Sequence, residues 1–106
     1  MVINDELSKK LEAQTKMIDE IEKLKIVAKV IHPLVNWAWY LICFKDLWQK
    51  EAIFTLLHGL ETEFGFIGYE ELNYQKIQGI PFEIVKDFKP CNAQELYNKL
   101  KKKVLV

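Results

Sequence analysis

The chain has 106 residues, of which 50% are hydrophobic and 28% charged, and its fifteen lysines balance fifteen acidic residues to a formal net charge of zero. This length predicts one domain (residues 1–106) with a single core, and the composition excludes a disordered chain. A neutral chain without arginine lacks the overall field and the bidentate donors that favour nucleic-acid binding, so nucleic acid is not expected as the direct ligand.

The first predicted element is an amphipathic helix over residues 1–24. Asn4 or Asp5 can cap it, and lysines and glutamates occupy the faces away from its apolar stripe. The stripe consists of Leu7, Leu11, Ile18 and Ile21. Gln14 interrupts it, so a long coiled coil is not expected. Two roles stay open for the helix: a cover for one face of a sheet, or an arm that forms a dimer or binds a partner.

Residues 25–90 predict a sheet, because short runs of β-branched and aromatic residues alternate with glycine and proline. The predicted strands are 25–31, 37–44, 52–58, 63–67 and 82–85. Their connections are too short for crossover helices, which favours an antiparallel meander of four to five strands. Asn92, with Glu95 three residues later, predicts a capped C-terminal helix over residues 92–103. The predicted class is therefore α+β.

Periodicity predicts which side chains form most of the core. These are Ile26, Val30, Trp39, Leu41, Phe54, Leu56, Phe66 and Val85. Aromatic residues also suggest stacking on unpaired bases, but a single-strand groove needs cations beside its aromatics. Residues 31–75 contain two lysines against six carboxylates, so packing in the core is the favoured role.

The chain contains none of the motifs of a catalytic or metal site. His32, His58, Cys43 and Cys91 lack the paired short spacings of zinc ligands, so we predict no metal, no cofactor and no enzymatic activity. No secretory signal and no membrane-length apolar run is present, which predicts a cytoplasmic protein with no membrane partner. In that compartment the cysteines are expected as free thiols.

Four carboxylates in the middle of the chain suggest an acidic patch for a basic partner. They are Glu61, Glu63, Glu70 and Glu71. Such a patch can dock on the basic nucleic-acid channel of another protein, with charge complementarity raising the association rate. A solvated loop face is the simpler alternative, and a general acid and base pair would need a cleft and perturbed pKa values.

Several blocks, in order, resemble a small family of bacterial domains of unknown function that are common on plasmids, phages and other mobile elements. The blocks are Asn36-Trp37-Ala38-Trp39-Tyr40, Ile53 to Gly59, Glu63 to Leu72, and Ile80 to Glu83 through Asp87 to Pro90. They cover about the last three quarters of the chain. No catalytic residue comes with this resemblance. The N-terminal helix departs from the family opening, and the charged connection after Phe44 is short.

Together these observations predict a non-enzymatic accessory protein of a mobile element that acts by protein–protein binding. The expected partner is a host protein or ribonucleoprotein nuclease complex, and an anti-defence or anti-CRISPR inhibitor is the expected role. The alternative is a small nucleic-acid-binding accessory of replication, transfer or transcription. It would use the C-terminal lysines Lys99, Lys101, Lys102 and Lys103. Either a monomer or a homodimer is expected.

Overall fold

The centre of the fold is a ten-residue strand, Val35–Phe44, in which every side chain from Ala38 onward is buried. A strand that is apolar on both faces needs a cover on each side. A computed structural model describes residues 2–48 and 50–104, and it places this strand third in a five-stranded antiparallel sheet. One helix near each end of the chain packs on the sheet, which confirms the α+β class. The first four strands of this sheet form a meander, as predicted, and the fifth lies beside the first of them at the opposite edge.

The described elements follow one another in this order: α1 (Asp5–Thr15), a 3-10 turn (Ile21–Lys23), β1 (Lys25–Ile26), β2 (Ala28–His32), β3 (Val35–Phe44), β4 (Ala52–His58), β5 (Thr62–Gly68), α2 (Tyr69–Tyr74), β6 (Lys76–Ile77), β7 (Ile80–Pro81), β8 (Glu83–Ile84), β9 (Cys91–Asn92) and α3 (Ala93–Val104). The main sheet has the order β5-β4-β3-β2-β8, with all neighbours antiparallel. Two small ladders, β1 with β9 and β6 with β7, complete the pairing. All five predicted strands are present, and the fifth is shortened to β8.

One side of the sheet, the α1 face, is covered by α1 and α2. Its buried cluster consists of Val2, Ile3, Leu7, Leu11, Ala28, Val30, Trp39, Leu41, Phe44, Ile53, Leu72 and Phe82. The opposite side, the α3 face, is covered by α3. Its buried cluster consists of Leu24, Ile26, Ala38, Tyr40, Ile42, Cys43, Leu56, Ala93 and Leu100. The N-terminal helix therefore covers one face of the sheet, as one of its two predicted roles requires.

Helix α1 is shorter than the predicted span of residues 1–24, because it ends at Thr15. Asn4 caps it as predicted, with Oδ1 accepting from the Leu7 amide at 2.9 Å. The Thr15 hydroxyl donates to the Leu11 carbonyl and accepts from the amide of Phe44 in β3. Beyond this anchor the chain turns, and Met17 and Ile18 pack on the α3 face. Met17 and Ile18 thus belong to the core on the α3 face, and not to the face that α1 covers.

Polar contacts of α1 and α3 with the rest of the chain use residues that interrupt or precede the apolar stripes. Gln14, which breaks the α1 stripe, is buried and donates from Nε2 to the Lys25 carbonyl at 2.6 Å. Asn92 precedes α3, and its Oδ1 accepts from the Glu95 amide at 3.0 Å, as the predicted cap requires. A buried polar group is stable only when hydrogen bonded, so the Gln14 contact fixes where α1 lies, whereas the exposed Asn92 contact caps the first turn of α3.

The predicted core is confirmed at five positions and is wrong at one. Ile26, Val30, Trp39, Leu41 and Leu56 are buried, whereas Phe54 and Val85 are half-buried. Phe66 is 56% exposed. Phe66 lies in β5, at the edge of the sheet, and no described helix covers it there. Alternation shows which face a side chain points to, but not whether that face is covered.

Asn73 ties the N-terminal segment to α2. Its Oδ1 accepts from the amides of Val2 and Ile3, at 2.6 and 2.7 Å, and all three residues are buried. Without this acceptor two buried amides would have no partner, and each such group costs about 1–3 kcal/mol.

We therefore expect Asn73→Ala to lower the free energy of unfolding by about 2–4 kcal/mol, because it leaves both amides unpaired. Urea unfolding followed by circular dichroism measures the change. The matched control is Asn98→Ala on the exposed side of α3, which should change stability by no more than about 0.5 kcal/mol. Equal stability of the two variants would contradict the anchoring role of Asn73.

Candidate functional site

Part of the α1 face lies open as a groove that runs across β3, β4 and β5. Its volume is about 310 Å³. The residues that line it are Trp37, Trp39, Thr55, Leu57, Glu63, Gly65, Phe66, Ile67, Gly68 and Glu71. We call this region the acidic groove. It is the portion of the face that neither α1 nor α2 covers.

Two tryptophans form the wall of the acidic groove on the β3 side. Trp39 is in the core, whereas Trp37, two residues earlier on the same face, remains 36% exposed. Their ring centroids are 6.2 Å apart. Gly59, in the β4–β5 turn, lies against the Trp37 indole, and a Cβ atom there would be only 2.8 Å from Cδ2. The absence of a side chain at Gly59 therefore leaves the space that the Trp37 indole occupies.

The wall on the β5 side carries two carboxylates. Glu63 pairs across the sheet with Leu57 and shares its face. Glu71 is in the first turn of α2, which packs back over the end of β5. A Cβ atom at Gly68, the last residue of β5, would lie 3.7 Å from Glu71 Oε2. Gly68 is five positions after Glu63 along β5, a backbone length of about 17 Å. The carboxylates thus lie toward opposite ends of an elongated groove.

Of the four glutamates predicted as a partner-binding patch, Glu63 and Glu71 line the acidic groove. Glu61 and Glu70 are exposed but do not line it. Glu61 belongs to the β4–β5 turn, where its carbonyl accepts from the Gly59 amide at 3.0 Å. Glu70 precedes Glu71 by about 100° around α2, so its side chain leaves the helix in another direction.

The lining of the acidic groove contains no lysine or histidine. A second cavity, of about 410 Å³, lies between α1 and the β8 region and has a different balance. There Glu6 pairs with Lys10 at 3.9 Å, and Lys86 adds another cation. Uncompensated negative charge beside exposed aromatic surface therefore distinguishes the acidic groove.

Both histidines have structural hydrogen bonds. His32 is buried, its Nδ1 accepts from the Leu34 amide at 3.0 Å, and its Nε2 is 2.7 Å from the Ile80 carbonyl. Since an amide can only donate, Nδ1 is the acceptor and Nε2 carries the proton. His58 Nδ1 is 2.8 Å from the Thr62 hydroxyl. These contacts occupy both ring nitrogens of His32 and the Nδ1 atom of His58.

Both cysteines are free thiols without the environment of a nucleophile. Cys43 is buried on the α3 face, and burial raises its pKa to about 12. Burial also raises the pKa of the half-buried Cys91, with a further increase from Glu95 that Lys99 opposes. A reactive cysteine requires a lowered pKa. Over residues 2–48 and 50–104, no group of three or more metal-ligating side chains is close enough to hold an ion.

Across the described part of the chain, none of the helices has both the length and the apolar character needed to cross a bilayer. Comparison of the chain with protein-family models, with curated proteins and with solved structures finds no match. The geometry of the acidic groove is therefore the basis for a functional proposal.

This geometry suits an extended, positively charged segment. An indole face attracts an ammonium or guanidinium group, and carboxylates near the ends of the groove would neutralise further cations along the same segment. The sequence identifies both glutamates, whereas for Trp37 it favours packing in the core over stacking at the surface, because alternation assigns this residue to the same face as the buried Trp39. The available signal was Gly59, since a glycine after an apolar strand often admits a close neighbour.

We expect Gly59→Ala to displace the Trp37 indole, because the new methyl group would overlap its ring. The indole Nε1–H resonance of Trp37, assigned by comparison with Trp37→Phe, should move. Gly65→Ala is the control, since a Cβ atom there meets nothing within 4 Å. If the Trp37 resonance does not move in Gly59→Ala, the indole does not pack against Gly59 as described.

A second expectation concerns the thiols. At pH 8 the native protein should leave Cys43 unmodified by Ellman's reagent, because its thiolate is scarce and buried, whereas half-buried Cys91 should react slowly. Both should react at once in denaturant. Cys91→Ser serves as the control, and rapid labelling of its remaining native thiol would show that Cys43 is accessible.

Proposed function

We propose that this chain is a non-enzymatic binding protein whose acidic groove receives an extended basic segment of a partner protein. The observation that carries the proposal is that Glu63 and Glu71 both line a groove walled by Trp37, whose lining contains no cation. No catalytic role is assigned to these carboxylates.

Simple energetics favour a segment over a single cation. An exposed cation–π contact contributes about 0.5–1 kcal/mol, and an exposed ion pair about 0.2–1 kcal/mol. One contact alone would therefore give negligible affinity. A segment that places one cation on Trp37 and others near Glu63 and Glu71 gains all of these contacts together, and apolar contact with Leu57 and Ile67 adds to them.

The partner class that fits this groove is a protein whose basic surface normally binds nucleic acid. A nuclease complex, whether protein or ribonucleoprotein, has such a surface, and a small acidic binder there would exclude the nucleic acid. The resemblance to domains carried on mobile elements supports the same direction. Within this proposal the biological role is anti-defence inhibition, of which an anti-CRISPR is the leading form.

A second candidate function uses the C-terminal helix. Lys99, Lys101 and Lys102 are exposed on α3, and the Lys101 ammonium lies 5.4 Å from the centre of the Tyr97 ring. Cations on a helix can contact phosphates, which would make the chain a nucleic-acid-binding accessory. An electrophoretic shift with single- and double-stranded DNA and RNA across a salt series separates the two functions. Substantial affinity that falls steeply with salt would favour this alternative.

The primary test uses a hexaarginine peptide as the probe, with binding followed by tryptophan fluorescence. We expect Glu63→Lys/Glu71→Lys to weaken binding by about tenfold or more, since the loss of two favourable pairs amounts to about 1.4 kcal/mol. Binding by the wild type should weaken as salt screens the charges.

The matched control is Glu61→Lys/Glu70→Lys, which makes the same change in net charge outside the groove. It should reduce affinity much less than the groove pair. If both pairs weaken binding equally, the site is a diffuse acidic surface and the groove has no special role. A hexaglutamate peptide that binds as tightly as hexaarginine would end the proposal.

A further inference from the structure

The outer side of β5 is an open sheet edge. Thr62–Gly68 pairs with β4 residue for residue and without a bulge, and no described strand pairs on its other side. Along this seven-residue strand, every second residue therefore points its backbone N–H and C=O outward, with no described strand to pair with. Natural proteins usually protect such an edge with lysine, proline, a bulge or a very short strand.

The opposite edge of the sheet has that protection. β8 is two residues long and follows closely after Pro81. It pairs only with Val30 and Ile31. By contrast, β5 contains neither lysine nor proline, and its one charged residue is Glu63. The two edges differ in the way expected if one of them has a partner.

An exposed aromatic side chain marks the β5 edge. Phe66 is 56% exposed, although its ring is 5.3 Å from that of Phe54. Phe54 stacks on Phe64 at 5.7 Å, and Phe64 stacks on Tyr97 of α3 at 5.0 Å. The aromatic row on the α3 face therefore begins under a helix and ends uncovered at the sheet edge.

We propose that β5 pairs antiparallel with β5 of a second copy of this chain, centred on Gly65. This register places Phe66 opposite Phe64 of the second copy, and Glu63 opposite Ile67 of the second copy. Aromatic cross-strand pairs stabilise a sheet, and no like charges lie opposite each other. A register centred on Glu63 would oppose two carboxylates, and one centred on Phe64 would leave Phe66 opposite Thr62.

The pairing would join the two acidic grooves. An antiparallel pair of identical strands has its two-fold axis perpendicular to the sheet, so both α1 faces point the same way in the continuous sheet. The floors of the two grooves then adjoin at Gly65, and each copy contributes Glu63 and Glu71 to one longer trough. This consequence rests on the proposed function, whereas the dimer itself does not.

Sedimentation equilibrium over a concentration series tests the dimer. The wild type should give twice the 12.5 kDa of one chain. Phe66→Lys should give the single-chain mass, because lysine at the edge disrupts strand pairing. Leu34→Lys, at a 50% exposed position in the β2–β3 turn, is the control and should remain dimeric. Circular dichroism checks that both variants are folded.

A monomeric wild type would overturn the proposal. This holds even if the β5 edge can pair with a strand from a different peptide. Dimeric Phe66→Lys would also overturn it. Isotope-filtered NOEs between Phe64 of one copy and Phe66 of the other should be present in a mixed labelled sample, and their absence would overturn the Gly65 register. Glu63→Lys/Glu71→Lys should lose hexaarginine binding and keep the dimer mass, so failure of the groove and failure of the dimer are separable.

Discussion

The two-sided burial of β3 determines the rest of this structure. A ten-residue strand extends about 33 Å, and the eleven-residue helix α1 extends about 16 Å, so α1 cannot cover β3 along its whole length. The α1 face is therefore closed at Phe44 and open at Trp37. Thr15, the last residue of α1, is hydrogen bonded to Phe44, so the helix is held at that end of β3 and the acidic groove lies at the end that the helix does not reach.

The chemistry of the open part differs from that of the core it continues. Trp37 continues the apolar side of β3, but an indole tolerates partial exposure better than an aliphatic side chain does. Glu63 and Glu71 supply charge without nearby cations in the lining. A solvated sheet surface needs neither a seated tryptophan nor carboxylates near both ends, whereas a site for an extended basic segment needs both.

Local signals in the sequence predicted most of the elements. The bounds of β4, the Asn4 cap and the Asn92–Glu95 pair follow from alternation and capping, which act over a few residues. The residue at which α1 ends does not follow from such local signals, because it depends on the hydrogen bond between Thr15 and Phe44, which are 29 residues apart in the sequence. Local signals also do not show that only two of the four glutamates line the acidic groove. That outcome depends on tertiary structure, because α2 packs back over β5 and so places Glu71 beside the strand that carries Glu63. Alternation predicts a core position for Phe66, because it cannot identify an uncovered sheet edge.

We propose that the uncovered part of the α1 face binds an extended basic segment. Titration of ¹⁵N-labelled protein with hexaarginine, followed by two-dimensional NMR, tests this proposal. We expect the largest shift changes at the Trp37 indole and at the amides of Glu63, Gly65 and Glu71, with α3 unaffected. Changes spread evenly over the exposed carboxylates, or confined to regions outside the groove, would contradict it.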